Sequence, residues 1–136
     1  MADRSSTTTP RTVYSDFSIG LTRHPVRKDL VTVTNQNAVA ASIRNLILTN
    51  KRERLFRPSL GSNIKAMLFE PMTATTALSI KTAITETIKN YEPRANLISV
   101  ICTPDYNNDR YQVQVVFTTV NVTTPQRLNI TLYRVR

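Results

Sequence analysis

Apolar positions in this chain change period near residue 94. Before it they recur every three or four residues, and after it they alternate. Val39, Ile43, Leu46 and Ile47 form one stripe, which predicts a helix capped by Thr34 or Asn35 and running to about Leu48. Gly61-Ser62 precede Ile64, Met67 and Leu68, the expected inner face of a short helix with Ser62 as its N-cap. Ala77, Ile80, Ile84, Ile88 and Tyr91 define the inner face of a longer helix capped by Thr73, with Lys81, Glu86 and Lys89 outside. Proline disfavours helical geometry at the residue before it, so Glu70-Pro71 and Glu92-Pro93 bracket that helix.

The second half reads as strands. Leu97 to Cys102 is a nearly unbroken apolar run, expected to be covered on both faces. Tyr111, Val113, Val115 and Phe117 alternate with polar residues, as do Leu128, Ile130 and Leu132. Turn clusters at Pro104–Asp109 and Asn121–Gln126 separate these runs into an antiparallel meander. Upstream, Val13–Ile19 reads as a short edge strand without a tight-hairpin partner, and Leu30–Val33 as a second strand. The expected class is α+β: an antiparallel sheet of three to four strands with two to three helices on one face. Residues 1–12 are expected to be a flexible Ser/Thr-rich arm, and residues 13–136 a single domain.

Charge sharpens this picture. Lys and Arg total 18 against 9 Asp and Glu, a formal net charge of +9, which favours acidic partners. The cations are dispersed: Arg4, Arg11, Arg23, Arg27 and Lys28 early, Lys51, Arg52, Arg54 and Arg57 in one turn, Arg134 and Arg136 at the end. They are either a solvated surface or basic arms that dock on acidic neighbours. No zinc, helix-turn-helix or RNP-like pattern accompanies them, so nucleic acid is not an expected partner. No apolar run approaches the roughly 20 residues of a membrane span, and MADRSSTTTPR lacks a secretion-signal core, so no membrane partner is expected. The single Cys102 lies in LISVIC and reads as a small buried hydrophobe in a reducing, intracellular compartment.

Candidate chemistry is sparse. Two glycines cannot build a phosphate-cradling loop. His24 sits in HPVRK, an expected exposed and charged loop, which does not suit a catalytic or ligand role. Glu70 and Glu92 would lie at opposite ends of a helix roughly 28 Å long, too far apart for paired-carboxylate hydrolysis at about 5–9.5 Å. No catalytic, cofactor or metal site is expected. Glu92-Pro93-Arg94 is a rigid charged corner instead. It either ties to the chain's own turn at Arg54–Arg57 or docks a partner. The terminal RLNITLYRVR has strong β character and an expected open edge, which invites strand addition; Arg134 and Arg136 would guard that edge or grip the incoming strand.

The ordered landmarks Phe56-x-Pro58-x-x-Gly61-Ser62, Leu68-Phe69-Glu70-Pro71 and Glu92-Pro93-Arg94 resemble those of the baseplate wedge proteins of contractile phage tails and of type VI secretion baseplates, a family often labelled lysozyme-like. The resemblance covers about Leu30 to Phe117. Arg52 stands where the family commonly has glycine. The resemblance implies a non-enzymatic virion subunit of the tail baseplate, made in the host bacterial cytoplasm, with a fold similar to the sheath protein's C-terminal domain. Implied partners are two larger wedge subunits forming a core bundle, the tail sheath protein, and tail tube or hub proteins. Glu92, Pro93 and Arg94, with Arg54 and Arg57, would meet the bundle. Leu128, Ile130, Leu132 and Arg134 would template sheath as its initiator. The alternative is a peptidoglycan-degrading baseplate enzyme.

Overall fold

The computed structural model describes residues 12–120 and 122–135. The expected arm falls almost wholly outside those residues, as do Arg4, Arg11 and Arg136. Five strands and three helices follow in the order β1 (Ser15–Phe17), β2 (Thr32–Thr34), α1 (Asn35–Leu48), α2 (Ile64–Met67), α3 (Ala74–Tyr91), β3 (Ala95–Asp105), β4 (Arg110–Thr119) and β5 (Val122–Tyr133). The main sheet is antiparallel with order β3-β4-β5, and the helices cover one face, as an α+β reading requires.

One stripe from each element makes the core. Val39, Ile43 and Ile47 of α1 and Ile80, Ile84 and Ile88 of α3 meet Val113, Val115 and Phe117 of β4 and Ile130 and Leu132 of β5, all buried. On α3 an inward isoleucine recurs about once per turn, at Ile80, Ile84 and Ile88, against the branched Val113 and Val115 of the sheet. The Thr73 hydroxyl accepts from the Thr76 N–H at 3.1 Å, so α3 begins where its cap predicts.

Several expectations change. β1 is an edge strand without a tight hairpin, as expected, but the second early strand pairs with it across a long connection: Ser15 to Phe17 lie against Thr34 to Thr32 in a separate two-stranded ribbon beside α1. β3 is not covered on both faces. Val100 is buried, but Ile98 and Ile101 are more than half exposed on the outer face, because among the described residues no element lies there to cover them. The two expected turn clusters are shorter than the sequence suggests. β3 continues through Pro104, and β5 begins at Val122 and runs through Pro125. Both prolines are tolerated because β3 and β5 are edge strands, where a missing N–H can face away from the ladder.

Ser62 is not the α2 cap, a position held by Asn63. Its buried hydroxyl donates to the Ile47 carbonyl at 2.7 Å, closing the end of α1 instead. His24 is half-buried rather than exposed, its Nδ1 accepting from the Val26 and Arg27 N–H groups at 3.2 Å each. Cys102 is half-buried, and burial pushes its thiol up to about 11, which leaves it protonated and unreactive.

Arg52 has a φ of 69°, a left-handed conformation that favours glycine. Its N–H donates to the Pro58 carbonyl at 2.7 Å, so the turn holds this geometry without a glycine. Arg52→Gly is expected to raise the melting temperature by about 1–3 °C, relief of strain being partly offset by a freer unfolded chain. Arg52→Val should lower it; a thermal melt in which valine is neutral would contradict the strain.

Candidate functional site

The Glu92-Pro93-Arg94 corner forms where α3 stops and β3 starts. The Glu92 N–H still donates to the Ile88 carbonyl at 2.9 Å, and its own carbonyl accepts from Ala95 at 3.2 Å. Pro93 fixes the bend between them. The corner does not project both charges outward. Glu92 is 2 % exposed and turns inward. Its two carboxylate oxygens accept from Arg94 Nε at 2.6 Å and Nη2 at 2.8 Å, and Oε2 also accepts from the Ser42 hydroxyl of α1. This is the fork-on-carboxylate geometry that fixes a guanidinium plane.

Burial alone would raise the Glu92 pKa. The hydrogen bonds from Arg94 and Ser42, with the Arg94 charge, outweigh it and hold the group below the usual carboxylate range. Arg94 is raised in turn, chiefly by the Glu92 bond. Its guanidinium lies 5.4 Å from the Tyr14 ring centroid, so that ring, just before β1, backs the cation from one side, and the Asp16 charge of β1 adds to the rise. About a third of the Arg94 side chain remains exposed.

The corner is tied to the 50–60 loop, but not through charge. The Tyr91 hydroxyl donates to the Ser59 carbonyl at 2.6 Å. Arg54 and Arg57 make no bond to Glu92; both are exposed, and neither has an ion-pair partner among the described residues. Arg54 nonetheless joins Leu60, Tyr91, Pro93 and Arg94 around one surface depression of about 510 Å³, which Asp16, Asn45 and Thr49 also line. The structure thus brings together Arg54, Pro93 and Arg94, and places Glu92 beneath them as support.

The other candidate surface is β5. It pairs only with β4 among the described residues, so one side of the strand is open. β4 is paired on both sides, so on this side of the sheet β5 alone carries the edge. The Arg134 N–H donates to the Asp109 carbonyl at 2.9 Å; the register therefore turns the backbone of Leu128, Ile130 and Leu132 toward β4 and that of Arg127, Asn129, Thr131 and Tyr133 outward. Ile130 and Leu132 are buried and Leu128 half-buried, so these three residues are core contacts rather than grips. Arg134 is half-buried, with its Nε lacking a partner.

Glu70 and Glu92 sit at opposite ends of α3, about 27 Å of helix apart. Asp105, in the β3–β4 hairpin, is pushed down by hydrogen bonds from Asn108 and Arg110. Among the described residues no group of three or more His, Cys, Asp or Glu could hold a metal, and no helix is long and apolar enough to cross a membrane.

What sequence reasoning missed is the surface at Leu55 and Phe56, which stand 93 % and 98 % exposed beside the depression. An apolar pair inside a run of four cations was the signal available.

The profile of a family described as baseplate wedge protein gp25 matches residues 33–129. The chain is 30 % identical over 94 residues to baseplate wedge protein gp25 of Enterobacteria phage T4, covering 69 % of this chain and 71 % of that protein. It superimposes with a TM-score of 0.70 on a chain of the anti-feeding prophage baseplate, at 28 % identity, covering 81 % of this chain and 88 % of the other. A crystal structure from Geobacter sulfurreducens, of a protein described as a tail lysozyme, superimposes with a TM-score of 0.72 at 26 % identity, covering 78 % of this chain and 96 % of that one.

Proposed function

This chain belongs to the baseplate wedge protein gp25 family, and from that premise we propose that it is a structural, non-enzymatic subunit of a contractile-tail baseplate in the virion. It docks larger wedge subunits through the face that carries Arg54, Arg57, Pro93 and Arg94. It offers the open side of β5 to the first ring of tail sheath and so initiates it. Tail tube or hub proteins are its remaining neighbours. Glu92 acts in this reading from below, by setting the Arg94 fork.

One observation carries the docking half. Arg54 and the Pro93-Arg94 step come from separate segments yet line one depression, stiffened by the Tyr91–Ser59 bond. Rigid cations beside apolar surface suit a protein partner of opposite charge. The test is reconstitution of the chain with the larger wedge subunits. Arg54→Glu with Arg57→Glu, both at exposed positions, should abolish co-purification without moving the melting temperature. Undiminished wedge formation would refute the docking role.

The strand edge needs a gentler test than truncation, because removing residues 128–136 takes Ile130 and Leu132 from the core. Thr131→Pro deletes an outward N–H on an edge strand, which the fold tolerates. Sheath should then fail to polymerise on otherwise complete baseplates; normal sheath would contradict strand addition.

Glu92 supports the non-enzymatic reading: its carboxylate is buried, ion-paired and shifted toward the ionised form, the reverse of a general acid. The purified chain should leave cell-wall preparations uncleared.

A further inference from the structure

We infer that Leu55 and Phe56 form an apolar anchor that inserts into a socket rimmed by carboxylates on the partner protein. The inference rests on the docking reading above and deepens it, by moving the main contact from the arginines to the residues between them.

The two side chains are 93 % and 98 % exposed, so folding of this chain does not need them. They are large, adjacent and apolar, and water covers them unless another molecule does. Their loop is nevertheless fastened at many points. The Arg52 N–H donates to Pro58 at 2.7 Å, Arg57 to Arg54 at 3.3 Å and Leu60 to Arg57 at 3.1 Å. The Glu53 carboxylate accepts from the Asn50 N–H at 2.8 Å, and Tyr91 holds Ser59. An exposed pair on a fastened loop loses little freedom on docking, which is the condition for a strong contact.

Charge identifies the socket. Lys51, Arg52, Arg54 and Arg57 flank the pair along the chain, and Arg54 and Arg57 line one hollow with it, against the single carboxylate of Glu53. None of the four cations has an ion-pair partner among the described residues. An apolar pair flanked by unpaired cations is complementary to an apolar pocket rimmed by Asp and Glu. Relief favours a folded protein over a bilayer. The knob stands beside the depression lined by Arg54, Leu60 and Arg94, and a flat lipid surface would leave that hollow unfilled.

The experiment measures affinity of the full chain for the larger wedge subunits by calorimetry, with melting temperature as control. Phe56→Ala should weaken binding about thirtyfold, Leu55→Ala about tenfold, and Phe56→Leu only a few fold, all with unchanged melting temperature. Binding should also weaken as salt rises. If Phe56→Ala binds like the parent while Arg54→Glu with Arg57→Glu does not, the anchor is overturned and the docking face survives. If neither change matters, the docking reading itself fails. A melting temperature lowered by Phe56→Ala would reveal a structural role and overturn the anchor. So would co-sedimentation of the parent, but not of Phe56→Ala, with vesicles of phosphatidylglycerol.

Discussion

Gly61→Ala should lower the melting temperature by about 10–15 °C, corresponding to about 3–5 kcal/mol. A Cβ at this position would stand 2.5 Å from the Thr49 carbonyl oxygen and 3.0 Å from the carbonyl carbon and oxygen of Asn50. These are backbone atoms at the end of α1, so they cannot rotate away as a flexible side chain would. The φ of 117° adds strain for any residue with a Cβ. The close approach is needed because Ser62 N–H donates to Thr49 at 2.8 Å, Lys51 N–H to Ser62 at 3.2 Å, and the Ser62 hydroxyl reaches Ile47. Together these bonds close the 50–62 loop onto α1. Ser62→Ala removes only the last of them and should cost about 1–2 kcal/mol. Because the same closure stiffens the loop that carries Arg54 and Phe56, Gly61→Ala should also weaken wedge assembly. A variant that melts within 2 °C of the parent would show that the loop moves freely and is not fastened as described.

Arg94→Ala should cost about 2–3 kcal/mol at pH 7, and the loss should shrink in acid. A fully buried pair broken on one side costs about 3–5 kcal/mol, reduced here because a third of Arg94 meets solvent, which screens it. The sign of the pH effect follows from Glu92. Its pKa is depressed in the folded state, so its stabilising contribution is complete above the ordinary carboxylate range and disappears as pH falls through the lowered value. Without Arg94, burial leaves Glu92 easier to protonate, so folding of the variant is penalised less in acid. Denaturant unfolding at pH 7 and near pH 3.5 should therefore show the gap between parent and Arg94→Ala narrowing. Glu92→Gln keeps a hydrogen-bonding side chain at Ser42, should cost about 1–2 kcal/mol, and should differ from the parent less at pH 3.5 than at pH 7. A gap for Arg94→Ala that is constant across this range would mean the ion pair contributes nothing to stability.

Much of the fold was legible in the linear pattern. The helical stripes from Val39 and from Ala77, the Thr73 cap, the alternation from Tyr111 to Phe117 and the α+β class follow from local periodicity, which a chain of this length can satisfy in few ways. The landmark residues also pointed correctly to the gp25 family. Strand limits were less legible. Pro104 and Pro125 read as turn residues, yet they lie inside β3 and β5 because those strands are edges, and edge status depends on the whole sheet. The apolar run at Leu97–Cys102 suggested burial on both faces, but composition cannot say that Ile98 and Ile101 stay more than half exposed.

The site divides in the same way. Sequence alone determined that a proline would set a charged corner after the long helix, that a basic turn would precede it, and that the last strand would have β character. Tertiary structure decided which charge faces inward. Glu92 is buried because Ser42 and Arg94, fifty and two residues away, converge on it to offset its desolvation, and only the packed helices bring those donors together. It likewise decided that Leu55 and Phe56 stay outside. Apolar side chains ordinarily go in, and their exposure became visible only once the loop closed over Gly61 with its tip facing away from the core.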